Sequence, residues 1–298
     1  MPDIDFEFTF ILLTNGLMIG LMYALIALGF VLVYKATDAI NFAQGEFVMF
    51  AAFIAAGAAA GGLSFWLCAA LALAGMVVFG FGLERIVLRP LMGRPIIAVV
   101  MATIGVAAVL RGFATLVFGA GTRVIEMPVG DDPIILGPLM LPPVQIVGAT
   151  VSLIFLGAFS WLFLKSRMGV AMRAVAESQQ VAAAMGIDVR RYFAFAWALA
   201  GVVSALGGIV WGAMLGVDNQ IAVIGLKVFP VVILGGLDSI VGAVVGGLIV
   251  GIAENLAAGY FDPIVGGGTK DFAPYVLMIA MLMVRPYGIF GSRRIERV

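Results

Sequence analysis

Four ionisable residues stand inside long apolar stretches of a 298-residue chain: Glu46, Arg111, Lys227 and Glu254. Asn15 and Asn255 are their neutral companions. In lipid such a charge costs roughly 2.5–3.5 kcal/mol on insertion scales, so each needs a partner or a task. Lys227 and Glu254 fall on consecutive stretches, where they either pair in the interior or face a solute. Glu46 has a local explanation. The run NFAQGEF starts a helix with Asn41 as N-cap and Gln44 at the third helical position, a capping-box pattern. Glu46 then sits near the positive end of the helix dipole. Arg111 lies deep in its stretch and is long enough to snorkel outward. Asn15, Asn41, Glu46, Lys227, Glu254 and Asn255 are therefore the polar side chains available to line a solute path.

Other chemistry is excluded or lacks its residues. The chain has no histidine and one cysteine, Cys68. That removes His-based metal sites, Ser-His-Asp and Cys-His nucleophiles, histidine relays and an internal disulfide. No ordered series of acids marks a proton or sodium path, and nothing resembles a selectivity filter. GGGTKD at 266–271 lacks the Gly-Lys step of a phosphate-binding loop, so nucleotide chemistry would have to come from another chain. No metal and no cofactor are expected. The net charge of zero implies no nucleic-acid partner.

The elements that must position these residues follow from composition. Hydrophobic residues make up 63% of the chain and charged residues 11%, against about 25% charged in a soluble domain. Apolar runs near the roughly 20 residues that cross a bilayer recur along the whole length. They are continuous rather than alternating, which excludes a transmembrane barrel. The expected fold is all-α: a polytopic bundle of about nine spans near 9–34, 41–60, 63–83, 95–118, 143–164, 191–213, 220–237, 239–258 and 272–290. The short span at 220–237 carries Lys227, Pro230 and a Gly-Gly pair, so it can be broken or re-entrant. Loops are short, and residues 1–298 are read as one membrane domain. The acidic start MPDIDFEF predicts no cleaved signal.

Lysine and arginine placement orients the chain. Lys35, Arg85, Arg89, Arg94, Lys165, Arg167, Arg173, Arg190, Arg191, Arg285, Arg293, Arg294 and Arg297 fall on one set of loops. The other set carries Asp3, Asp5, Glu7, Glu126, Asp131, Asp132, Asp218, Asp262 and Asp271 against Arg123 and Lys270. This puts the N-terminus outside and the C-terminus in the cytoplasm, and so requires an odd number of crossings. Glycines four apart in GLMIG (16–20), GAAAG (57–61), GIVWG (208–212), GAVVG (242–246) and GLIVG (247–251) give faces for close helix packing, or for a moving or pore-lining surface.

Between two spans lies the polar stretch RAVAESQQVAAAMGIDVRR (173–191), expected inside the cell as one or two short helices. Ser178 can N-cap a helix over 179–185. Gly186 can take the left-handed position after it, with Ile187 folding back. Ala182, Ala183 and Ala184 keep the helix slim, and Val181 with Met185 forms an i, i+4 apolar pair.

Three stretches carry a family resemblance. GLMIGLMYALIALGFVLVYKATDAINFAQGEFVMFAAF (16–53) resembles the start of LivH-type permeases, membrane subunits of branched-chain amino-acid importers of the ATP-binding-cassette class. SRMGVAMRAVAES and the following Met185-Gly186-Ile187-Asp188 resemble that family's cytoplasmic loop. RPYGIFG (285–291) resembles its close, and VVILGGLDSIVGAVVGG (231–247) fits as well. The resemblance runs through nearly the whole chain in order. It implies a permease in the inner membrane with a second permease subunit, a paralogue, two cytoplasmic ATPases and an extracytoplasmic substrate-binding protein. It implies that the loop at about 165–191 docks on an ATPase through Arg173, Glu177, Ser178, Val181, Ala182, Ala183, Met185 and Gly186, with Arg173, Glu177, Arg190 and Arg191 meeting charges at the rim. The loop departs from the E-A-A-x-x-x-G form of other such importers, since its alanines stand at a different distance from Gly186. Relatives for urea or short amides share these patterns. An ion-coupled secondary transporter, the alternative from another class, would need coupling-ion ligands in the core.

Overall fold

A computed structural model describes residues 6–130, 132–137 and 139–292. Asp3, Asp5, Asp131, Arg293, Arg294 and Arg297, which enter the charge pattern above, lie outside the described residues. In chain order the helices are α1 (Phe6–Thr37), α2 (Gln44–Ala60), α3 (Phe65–Leu83), α4 (Ile96–Phe118), α5 (Pro143–Lys165), α6 (Arg167–Glu177), α7 (Gln179–Ala184), α8 (Val189–Leu215), α9 (Val223–Gly235), α10 (Ile240–Val265) and α11 (Thr269–Val284). An antiparallel hairpin, β1 (Ile134–Leu136) with β2 (Leu139–Leu141), joins α4 to α5.

An apolar helix occupies each of the nine expected spans. Six are long and apolar enough to cross a membrane by length and composition, the one built on α3 being counted through Leu91. The three short ones are α2, α9 and α11, of 17, 13 and 16 residues. At 1.5 Å per residue α9 extends only about 20 Å, against a hydrocarbon core near 30 Å. The doubtful span at 220–237 is thus a 3-10 turn, Asn219–Ala222, followed by a helix too short to cross by itself.

The chain folds into two compact units. The first holds the described residues within Met1–Ala27, Val129–Leu153 and Leu226–Val298. Its central seam is glycine on glycine. A Cβ added at Gly16 would lie 2.7 Å from Ile252 Cα, and one at Gly20 would lie 2.7 Å from the Gly247 oxygen. Gly247 and Gly251 meet the backbone of Gly16 and Gly20 as closely from the other side. Two helix backbones can approach this far only where neither carries a side chain. The chain end is stitched to the α9–α10 turn: Ile289 N donates to Leu234 O at 2.9 Å and Phe290 N to Gly235 O at 3.0 Å. Ser292 bonds Asp238 beside them.

The second unit comprises Leu28–Pro128 and Ile154–Gly225. Here α8 rests on α2 and α3. Backbone meets backbone at Gly80 on Trp197, Gly201 on Met76 and Gly208 on Val48. Trp197, Phe47, Phe53 and Met76 are fully buried, and Phe47 meets Phe79 edge to face at 5.2 Å, the arrangement that ring quadrupoles favour. GAAAG departs from the packing pattern. Gly57 meets only the Phe118 ring, and Gly61 ends the helix. After Leu83, α3 continues through a π turn (Glu84–Leu88) and a 3-10 turn (Arg89–Leu91).

Candidate functional site

In the first unit the intramembrane charges form a group of four. Glu254, on α10, is wholly buried. Lys227 Nζ, from α9, stands 3.7 Å from Glu254 Oε1 and 2.6 Å from Asp271 Oδ1. Lys270 Nζ reaches Glu254 at 4.0 Å. Two ammonium groups balance two carboxylates, which lowers the cost of holding any of them here. The Lys227–Glu254 pairing is present, but as part of a network, and the tighter bond of Lys227 goes to Asp271. Neither Glu254 oxygen makes a hydrogen bond of ordinary geometry among the described residues, although the Tyr23 hydroxyl lies near enough to act on its charge. Asn255 donates to Gly251 O in its own helix at 2.9 Å. Asn15 accepts from Gln145 through its backbone oxygen at 3.3 Å, while its side-chain oxygen is buried and unbonded.

In the second unit, NFAQG builds a buried polar knot. The expected cap is corrected: α2 starts at Gln44, three residues after Asn41, and its N-cap is Ala43. Asn41 Oδ1 accepts from Ala43 N at 3.1 Å, and its amide donates to Gln44 at 3.2 Å. The same side chain that can cap a helix can close a turn two residues on, and here it does the latter. Gln44 donates to Ser204 at 3.0 Å. Gly29 makes room for the Gln44 amide, and Gly45 lies against Ala222 and Gly225. Asn41 and Gln44 are fully buried, and their bonds hold this backbone in place.

Glu46 stands in the first turn of α2 as expected, and Arg111 departs from expectation. Arg111 does not snorkel away; its guanidinium donates to Glu46. Glu46 is therefore held by an ion pair and not by the helix dipole alone. The Glu46 side chain is 7% exposed and the Arg111 side chain 56%. The partners are far apart in sequence, on α2 and α4.

The polar stretch folds as α6 and α7. Ser178 caps α7 by accepting from Val181 N at 3.3 Å. Gly186 has φ of +83°. Gly186 N bonds Ala183 O and Ile187 N bonds Ala182 O, both at 3.0 Å. These are the paired bonds of a Schellman close, which favours glycine at that position. Val181 and Met185 are exposed, at 62% and 78%, whereas Ala182 is buried against the chain itself. Arg173 turns inward rather than to a rim: it donates to Phe163 O, with its guanidinium 5.4 Å from the Phe163 ring. Gln179 donates to Ala36 O at 3.2 Å and so fastens the stretch to the end of α1. Glu177, Ala183 and Arg190 are exposed, and Arg191 pairs with Asp188 at 2.8 Å. A hollow of about 720 Å³ beside α7 is lined by Gly186, Ile187, Asp188, Arg89, Met168 and Phe81, among others.

Sequence reasoning passed over three things. Lys270 and Asp271 read as loop charges, yet they complete the Glu254 network. Glu84, 1% exposed, pairs with Arg89 at 2.8 Å; its place next to an arginine-rich loop was the available signal. Asn219 donates to Thr115 at 2.9 Å and keeps a buried, unbonded side-chain oxygen. Among the described residues no cluster of His, Cys, Asp or Glu could hold a metal.

The sequence pattern of the family described as branched-chain amino acid transport system / permease component matches residues 12–284. The chain is similar to the high-affinity branched-chain amino acid transport system permease protein LivH of Escherichia coli K12, with 32% identity over 95% of this chain and 96% of that protein. It is similar to the corresponding protein BraD of Pseudomonas aeruginosa, with 30% identity over 96% and 97% of the two chains. A probable branched-chain amino acid transport permease protein LivH of Methanocaldococcus jannaschii is 30% identical over 94% and 92%.

Proposed function

The chain belongs to the branched-chain amino acid transport permease family, and we propose that it carries a branched-chain or related amino acid inward as one of two permease chains. It is a multi-pass inner-membrane permease component whose ATP-hydrolysing and substrate-binding partners are separate chains. The second permease, a paralogue, encloses the path together with this one. ATP binding and hydrolysis in the partners rock the pair between outward and inward openings. The N-terminus lies outside and the C-terminus in the cytoplasm.

The observation that carries the coupling role is α7. A six-residue helix, capped at both ends, presents Val181 and Met185 to solvent while Ala182 anchors it. An exposed apolar pair on so slim a rod suits a groove on a partner. Ser178 and Gly186 set its ends, and Glu177, Ala183, Arg190 and Arg191 frame the contact, with Arg173 bracing α6 from behind. For the path, the group around Lys227 and Glu254, with Asn255 next to Glu254 in sequence and Asn15 in the same unit, and the Glu46–Arg111 pair offer the polar chemistry.

Co-purification with ATPase subunits tests the assignment. We expect stable association, its loss in Ala183→Trp at normal membrane abundance, and no nucleotide hydrolysis by this chain alone. Association and uptake unchanged by Ala183→Trp would leave α7 a mere connector. Orientation is tested by single cysteines at Glu126 and Arg190 in a Cys68→Ser background; both are exposed and should label from opposite sides.

A further inference from the structure

We propose that Glu46 and Arg111 form the permease's own recognition point for the zwitterionic head of an amino acid, Arg111 for its carboxylate and Glu46 for its ammonium group. The proposal rests on the amino-acid permease function above and adds the residues and their roles.

Arg111 is the single charged residue of α4. Of its exposed neighbours on that helix, Val109, Phe113, Leu116 and Val117 are apolar and Thr115 is polar. A structural counter-charge for Glu46 would be expected to turn its charge into the fold. Arg111 instead keeps more than half of its side chain open. One guanidinium nitrogen donates to Glu46, and its other nitrogens have no partner among the described residues. A planar fork with free donors is the geometry that grips a carboxylate with two parallel bonds. An intramembrane ionisable residue is by default a functional hypothesis to be argued with its partner.

An amino acid carries both complementary charges on adjacent atoms. Setting its carboxylate on the free donors of Arg111 and its ammonium beside Glu46 gives four charges of alternating sign and no net charge, which suits a low-dielectric setting. An apolar wall stands beside the pair. Phe50 lies one helical turn beyond Glu46 on α2 and meets Phe113 of α4 at 6.1 Å between ring centres. Ring faces are surfaces on which a branched aliphatic side chain packs. Asn219 is bonded to Thr115 one turn along α4 from Arg111, and its side-chain oxygen is buried with no bond of its own. Urea and short amides lack the charges that this arrangement would match.

The test uses the assembled transporter, with its ATPases, second permease and binding protein, in proteoliposomes with labelled leucine. If the parent complex takes up no leucine, the function proposed above and this site fall together. If it does, the Glu46→Gln/Arg111→Met double variant decides. Both charges are gone, so no lone charge is left buried, and the complex should assemble in normal amounts. We expect leucine uptake to fall at least about tenfold, the scale of losing a charge-assisted contact pair. Uptake within twofold of the parent would reduce the pair to a structural tie and overturn the proposal while leaving the permease function intact. Should the double variant fail to accumulate, Arg111→Lys takes its place. It keeps the charge and loses the fork. Uptake at saturating leucine should drop several-fold at unchanged abundance, and an unchanged rate would overturn the proposal.

Discussion

The glycines of α1 and α10 and those of α4 are the same residue in opposite circumstances. Around Gly16, Gly20, Gly247 and Gly251 the backbone of the facing helix stands where a Cβ would be. Around Gly105 and Gly112 of α4 nothing lies within 4 Å. The charges follow the same division. Glu254 is sealed among lysines in the first unit, whereas Arg111 of the second stands open. The first unit has used its small residues and its charges on itself. Helix α4 buries only Thr103, Leu110 and Ala114 deeply and leaves much of its remaining surface exposed. Glycine spacing alone does not distinguish a closed seam from an open face; the neighbours do.

The sharpest way to break this contrast is to add the same bulk on both sides of it. Gly251→Leu drives a side chain into the backbone of α1, where no rotamer can relieve it. We expect a loss of about 4–5 kcal/mol or more, the exceptional range for point changes, read as absence of folded protein in detergent. Gly105→Leu should change the chain's own stability by no more than about 0.5 kcal/mol and yet impair uptake, because the open face is then filled. Equal damage to folding from both would erase the distinction.

Next in size is Lys227→Met. It leaves Glu254 wholly buried with Lys270 at 4.0 Å as its remaining cation, and such an uncompensated charge typically costs about 3–5 kcal/mol. Thermal unfolding of the detergent-solubilised protein reads it. Adding Glu254→Gln should recover most of the loss, since the two residues share one network. Lys270→Met, at an exposed position, should cost less than about 1 kcal/mol. Losses from Lys227→Met and Glu254→Gln that simply add would show that the network does not act as a unit.

Smaller effects are expected at α7, whose exposed pair extends the open character of the second unit beyond the membrane helices. Val181→Ser with Met185→Ser should leave abundance unchanged and weaken ATPase association, measured by co-purification. Ser178→Ala removes one cap and should cost about 1 kcal/mol of local helix stability. Hydrogen exchange over 179–186 would report it, with uptake only slightly reduced.

What the sequence made legible was local. Apolar run length located α5 at 143–165 within a residue of expectation, because lipid sets a fixed length for such runs. The Schellman close of α7 was equally local: a serine, seven residues and a glycine suffice. Asn41 misled because capping a helix and closing a turn demand the same side chain, and only the facing residues decide between them. The Glu46–Arg111 bond escaped because it joins two helices at a separation that no periodicity registers. The charge network of Lys227 and Glu254 was half visible: consecutive helices proposed the pair, but Asp271 and Lys270 looked like loop residues until α11 was seen to begin at Thr269.

The glycine seam also sets an order of events during synthesis. Gly16 and Gly20 leave the ribosome early, while Gly247 and Gly251 follow roughly 230 residues later. At about 5–20 residues per second this is a wait of roughly ten to fifty seconds. Throughout it the N-terminal half of α1 sits in the bilayer with a bare strip of backbone and no helix to cover it. Every residue of the second unit, through Gly225, has been made before that strip meets its match. A chain stalled between Gly225 and Gly247 would hold every residue of the second unit and an unclosed first one, a form that membrane quality control would be expected to find and degrade.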